Sequence, residues 1–160
     1  MKENFLKILV KLFARYNTQA NILLQDEDEL VKNLSKAGFP EADSRKVLDW
    51  VAETYERSDS SIAMKNPTST RIYHETEENK ISTEARGFIL FLEKSGVLDV
   101  SRREIVIDRL MALESPFVDL DDLRCVLNVV WLHDQEDINL KTLQICEIFA
   151  PAPNKRITLN

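Results

Sequence analysis

Apolar residues recur at helical spacing along nearly the whole chain, and only three glycines and five prolines interrupt them. One face of a helix repeats every three to four residues, so such a pattern packs apolar stripes against one another. It leaves no room for long disordered stretches, and no internal repeat is present.

Residues 3–16 read as a first helix. Phe5, Leu6, Ile8, Leu9, Leu12, Phe13 and Tyr16 are apolar, and the polar stripe of Lys7, Lys11 and Arg15 is narrow. A helix this apolar is buried on most sides, by its own domain or by a partner. Asp26-Glu27-Asp28-Glu29 opens a second helix, its acids complementing the positive end of the helix dipole. Leu30, Leu34 and Ala37 line one face, and Gly38 stops it with Phe39 as the apolar contact that follows. Pro40 suits the first turn of a third helix, 40–57, which should bury Val47, Leu48, Val51 and Tyr55 with Trp50 at the margin. The run Ser58–Ser61 breaks the pattern. Ile62-Ala63-Met64 and Thr70–Tyr73, joined by a turn at Asn66-Pro67, are expected to pair as a short β hairpin. Three helices and a hairpin are the chain order of a winged-helix unit, an analogy of topology alone.

The second half returns to helices. Ser82 or Thr83 caps one that runs to Ser95 and stops at Gly96, with Phe88, Ile89, Phe91 and Leu92 inward. Ser101-Arg102-Arg103-Glu104 has the spacing of a capping box and should open a helix to about Leu113. Asp119 or Asp121 caps the next, carrying Leu123, Val126, Leu127, Val130 and Trp131. A last helix at about 139–149 presents Leu140, Leu143 and Ile148. The expected fold is therefore mainly α: a winged-helix-like N-terminal unit over 1–75, a C-terminal four-helix unit over 76–150, and a tail over 151–160, with the two units packed as one body.

Hydrophobic residues make up 44% and charged residues 30% of 160 residues, the balance of a globular protein. Net charge is −6, which argues against a general nucleic-acid binder because phosphate binding needs a concentrated positive field. Lys7 and Lys11 interrupt the N-terminal apolar run, so a secretory signal is not expected. No run approaches the roughly 20 apolar residues of a membrane span. Cys125 and Cys146 sit inside apolar helical patterns, which fits buried free thiols in a reducing cytoplasm.

Arg71-Ile72-Tyr73, Arg86-Gly87-Phe88 with Phe91-Leu92-Glu93, Gly96-Val97-Leu98, Arg103-Glu104, Val106-Ile107-Asp108-Arg109, Met111-Ala112-Leu113 and Asp122-Leu123 together resemble the bacterial Smg family. In the N-terminal half, Ala37-Gly38-Phe39 and a following helix with Trp50 fit as well. The chain departs from the pattern at Arg124-Cys125 and at Trp131-Leu132-His133. The resemblance implies a cytoplasmic protein of unassigned biochemical role, in a family often encoded near DNA-processing genes.

Candidate chemistry is sparse. His74 lies beside Glu75, Glu77 and Glu78, and His133 beside Asp134, Glu136 and Asp137, but neither cluster has a metal-ligand spacing, and solvated acidic loops explain both. Glu104 and Asp108 share a helix face, where paired carboxylates could do acid–base work, but the cap explains Glu104, and Asp108 can pair with Arg103 or Arg124. The more informative set is Arg71, Arg86, Arg102, Arg103 and Arg109. Arg71, Tyr73, Arg102 and Arg103 could form a surface for phosphate or an acidic partner, with Arg102 and Arg103 solvated. Arg86, Gly87, Phe88, Glu104, Asp108 and Arg109 read as architectural, Arg86 and Arg109 pairing with Glu84, Glu93 or Asp108. Gly87 inside a helix implies close approach of another element. The third helix carries Glu41, Asp43, Asp49, Glu53 and Glu56 beside its basic residues, which would repel DNA.

The expectation is a non-enzymatic protein-interaction or regulatory module, monomer or homodimer, with no cofactor, metal or membrane partner. The alternatives are a nucleic-acid-binding protein using the arginine patch, and a metal-dependent enzyme using His74 or His133.

Overall fold

A computed structural model describes residues 2–15, 26–60 and 70–133. In these residues seven helices follow one another: α1 (Lys2–Arg15), α2 (Glu27–Lys36), α3 (Glu41–Ser60), α4 (Glu75–Lys80), α5 (Thr83–Lys94), α6 (Val100–Met111) and α7 (Leu120–His133). α2 packs on α3, α1 on α3 and α7, and α3 on α6 and α7. α7 also meets α5 and α6, so α3 and α7 each pack against four other helices. The buried apolar residues form one cluster, from Ile8 and Leu9 on α1 through Val47 and Val51 on α3 to Val106, Leu110, Leu123 and Leu127.

The helix ends follow from local chemistry. Asp26 caps α2 by accepting from the Asp28 amide at 3.1 Å. α2 and α5 both stop on a glycine at positive φ, Gly38 at 96° and Gly96 at 74°. In each, the next residue donates back across the turn, Phe39 N–H to Leu34 O at 3.1 Å and Val97 N–H to Leu92 O at 3.0 Å. α6 ends without a glycine. Lys80 instead donates to the carbonyls of Met111 and Leu113, at 2.7 Å each, and burial pulls its ammonium pKa down. At the start of α7, Asp119 accepts from the amides of Asp121 and Asp122, while buried Asp122 accepts from the Asp119 amide at 2.8 Å.

Several expectations need correction. No strand occurs among the described residues, so Thr70–Tyr73 is not the arm of a hairpin; Arg71 and Tyr73 pack onto the helices instead of joining a ladder. The hairpin's other arm at 62–64, the expected helix at 139–149 and Cys146 lie outside the described residues. The sole β feature described is an isolated parallel bridge between Ile81 and Val118, which ties the α4–α5 link to the α6–α7 link. Among the described residues the winged-helix analogy therefore has no wing to support it. Residues 58–60 continue α3 rather than breaking it. α6 is capped by Asp99, which accepts from the Arg102 amide at 2.8 Å, so Ser101 lies inside the helix and Glu104 is released for other partners. Trp50 is buried, not marginal, and Cys125 is only half-buried. Burial, with Asp122, Asp121 and Asp119 nearby, pushes the Cys125 thiol pKa up.

Gly87 is exposed, and a Cβ added there would meet nothing within 4 Å, so no close approach explains it. Glycine and alanine should accordingly trade in opposite directions at two sites. Gly87→Ala stabilises the protein by up to about 1 kcal/mol through helix propensity. Gly38→Ala destabilises it by about 1–2 kcal/mol, because a Cβ opposes the left-handed backbone there. Paired urea titrations check both signs, and a loss at position 87 would reveal a contact beyond the described residues.

Candidate functional site

Two arginine clusters sit at joints between helices, one around Arg71 and Arg103 and one around Arg109. The first begins where the extended stretch ahead of α4 meets α6. His74 caps α4, its Nδ1 accepting from the Thr76 amide at 3.3 Å, while Glu77 reaches back to the His74 amide at 2.9 Å. That reciprocal arrangement is the capping box. It also aims the Glu77 carboxylate at Arg71, which donates to it through both Nη atoms at 2.6 and 2.9 Å. The Arg71 Nε donates to Glu104 on α6 at 2.8 Å. Glu104 is shared with Arg103, whose Nη1 reaches Glu93 on α5 at 2.6 Å. One chain of charge, Glu77–Arg71–Glu104–Arg103–Glu93, thus fastens α4, α6 and α5 together.

Tyr73 lies between two guanidiniums, with Arg71 4.9 Å and Arg86 5.6 Å from its ring centre. Burial pushes the phenol pKa up, partly offset by Arg71, Arg103 and Arg86. Arg86 also donates to Ile81 O and to Glu78, both at 3.3 Å.

The electrostatics are self-contained. Hydrogen bonds that Arg71 donates to Glu77, then to Glu104, raise its pKa against the opposing effect of burial. Reciprocally, the Arg71 hydrogen bonds hold Glu77 below the usual carboxylate value of 4.5. A depressed carboxylate pKa contributes stability above the unfolded value, and that contribution is lost as pH falls through the folded one. Glu77→Gln should therefore cost about 1.5–3 kcal/mol near neutrality. The gap from the parent protein should close as pH drops below about 4.5. Thermal melts of both proteins from pH 7 to pH 3 test this, and a pH-independent gap would refute it.

The second cluster joins α3 to α6. Arg109, buried at the end of α6, donates to Glu53 at 2.8 Å and to Asp108 at 3.0 and 2.8 Å, and Arg57 pairs with Asp108 at 3.2 Å. Burial opposes the Arg109 charge, but Glu53 and Asp108 outweigh it and the pKa is raised. The Trp50 indole N–H donates to the Arg109 carbonyl at 3.3 Å.

Of the expected surface set, Arg71, Tyr73 and Arg103 come together, and Arg86 joins them. Arg102 turns aside to Asp99 at 3.4 Å. Arg103 is not solvated: its side chain is 6% exposed. Arg86 pairs with Glu78 rather than Glu84 or Glu93, and Arg124 pairs with Asp121, not Asp108. Glu104 and Asp108 are drawn to different arginines, so they do not form a carboxylate pair. Phe88 is buried in the core and stacks near Phe91 at 6.3 Å. The carboxylates that complete the cluster were read differently from sequence, Glu77 as part of a solvated acidic loop and Glu93 as a partner for Arg86 or Arg109, whereas they pair with Arg71 and Arg103. Glu77 was findable, since it stands three residues after His74, but histidine is an unusual cap.

No group of three or more His, Cys, Asp or Glu side chains that could hold a metal occurs among the described residues, and the His133 side chain lies outside them. No described helix is long and apolar enough to cross a membrane. A cleft lined by Phe5, Leu6, Asp43, Lys46, Leu113, Glu114 and Ser115 encloses about 20 Å³, room for a water rather than a substrate.

The comparisons bear on family. A model described as a protein of unknown function (DUF494) matches residues 5–156. The chain is 38% identical over 130 residues to a Protein Smg homolog of Stenotrophomonas maltophilia strain K279a, covering 81% of this chain and 83% of that one. It belongs to the bacterial Smg family. Over the same shares of each chain it is 39% identical to a Protein Smg homolog of Alkalilimnicola ehrlichii, and 40% identical to one of Xanthomonas campestris pv. campestris strain B100. No solved structure matches this Smg family member. The match reaches beyond the clusters at both ends, so the arginine network is set within a whole-chain resemblance.

Proposed function

We propose that this Smg family protein is a non-enzymatic protein-interaction or regulatory module of the bacterial cytoplasm, acting as a monomer or homodimer. One observation carries the reading: Arg71, Arg86, Arg102, Arg103 and Arg109 are each held by a carboxylate of the same chain. A phosphate backbone would have to displace those carboxylates one by one, against a net charge of −6. The arginines are therefore fasteners of the fold, and what remains for a partner is the surface between them. Large apolar side chains are exposed among the described residues, Ile72, Leu90 and Phe117 among them, and each is a point that a protein partner could cover.

Two measurements test the proposal together. A photo-crosslinking residue placed in turn at Ile72, Leu90 and Phe117 in living bacteria should give discrete protein adducts from at least one position. Labelled duplex DNA, single-stranded DNA and structured RNA should show no saturable anisotropy change at low salt. Salt-weakened, saturable binding to any of these, lost in an Arg102→Ala/Arg103→Ala double variant of preserved fold, would replace the proposal with the nucleic-acid reading.

A further inference from the structure

The segment Thr70–His74 is patterned as a strand, but no strand lies beside it among the described residues. Thr70, Ile72 and His74 are exposed, while Arg71 and Tyr73 between them are half-buried, the two-residue alternation of an extended chain lying on a surface. His74 has extended dihedrals, φ −73° and ψ 153°. Among the described residues, no backbone hydrogen bond is made by Thr70, Arg71, Ile72 or Tyr73. Both inward side chains are clamped, Arg71 by Glu77 and Glu104 and Tyr73 by Arg71 and Arg86. Ile72, at the centre, is 91% exposed.

We propose that Thr70–His74 is a docking edge for an extended peptide that adds to it as a strand, with an apolar residue opposite Ile72 and basic residues on either side. The inference rests on the interaction reading above and names its partner chemistry. Strand addition draws its affinity from main-chain hydrogen bonds and its specificity from alternate side chains. The clamps hold the edge in place beforehand, so an incoming strand does not bear the entropy of ordering it. The charge preference follows from what an approaching chain meets. The Arg71 and Arg103 side chains are 18% and 6% exposed, whereas Glu104 and Glu78 are 47% and 52% exposed, and Glu75 is exposed as well. The outermost charges around the edge are therefore carboxylates, which favour lysine and arginine on the partner.

The full chain is titrated with the peptide Lys-Thr-Lys-Val-Ile-Val-Lys-Thr-Lys and with its counterpart carrying glutamate at every lysine. The lysine peptide should bind saturably and at least about ten-fold more tightly, by charge complementarity. Its binding should slow exchange of the Arg71, Ile72 and Tyr73 amides and weaken at least about ten-fold in Ile72→Asp, whose melting temperature stays that of the parent because Ile72 is exposed. The proposal is overturned if neither peptide binds or both bind equally. It is also overturned if those amides exchange slowly in the peptide-free monomer, since the chain then covers its own edge. A concentration-dependent dimer lost in Ile72→Asp would overturn it in favour of a second copy. Adducts at Leu90 or Phe117 but not at Ile72 would keep the interaction reading while removing this edge from it.

Discussion

Arg103→Ala should lower stability by about 3–5 kcal/mol, the cost of breaking a buried ion pair from one side. For a chain of this size that moves the melting temperature down by on the order of 10 °C. The reason is geometric. Arg103, on α6, turns toward α5 with its side chain 6% exposed, donating to Glu93 at 2.6 Å and Glu104 at 3.0 Å. Alanine would leave the largely covered Glu93 carboxylate without its counter-charge. Arg45 supplies the control. It contacts three carboxylates, Glu27, Asp28 and Glu41, yet its side chain is 43% exposed, so Arg45→Ala should leave stability nearly unchanged. A double variant, Arg103→Met with Glu93→Gln, should recover part of the loss because it removes the stranded charge. Urea titrations of the four proteins decide the matter. Equal effects at positions 45 and 103 would mean that Arg103 is solvated in the folded protein.

The second large effect belongs to Trp50. Trp50→Ala should cost about 3–5 kcal/mol, as truncation of a buried aromatic does. Trp50 on α3 is packed edge-to-face against Phe5 of α1, ring centres 5.5 Å apart, and donates to the Arg109 carbonyl of α6. It thus bridges the first helix and the sixth. Trp50→Phe keeps most of the apolar contact and removes the donor, and should cost about 1–2 kcal/mol. Because one core runs through both halves, the Trp50→Ala protein should still unfold in a single transition, followed identically by circular dichroism and by hydrogen exchange in α6. An α6 that stays protected while α3 unfolds would show that the halves are separately stable.

The helices were legible because each signal is local. The apolar spacing of α1, α3, α5, α6 and α7, the acids that open α2, and Gly38 and Gly96 at helix ends all act within a few residues. The cap of α6 was misplaced by two residues because Asp99 and Ser101 are both good caps, and only the packing of buried Leu98 ahead of the helix separates them. The six-residue α4 was missed since none of its residues is buried, so it carries no apolar stripe to read. The arginines were legible as a set but not as pairs. Arg71 finds Glu104 thirty-three positions away and Arg109 finds Glu53 fifty-six away, and no local pattern encodes such distances. That is also why Arg103 reads as a solvated helix residue until α5 is laid against it.

The central position of α7 has a consequence for how the protein is made. α1 and α3 both place apolar surface against a helix that is translated long after them. At about 5–20 residues per second, the stretch from the end of α3 to the end of α7 takes several seconds to synthesise. Throughout that interval the nascent N-terminal helices carry an apolar face whose final cover has not yet been made, so the core closes late in synthesis.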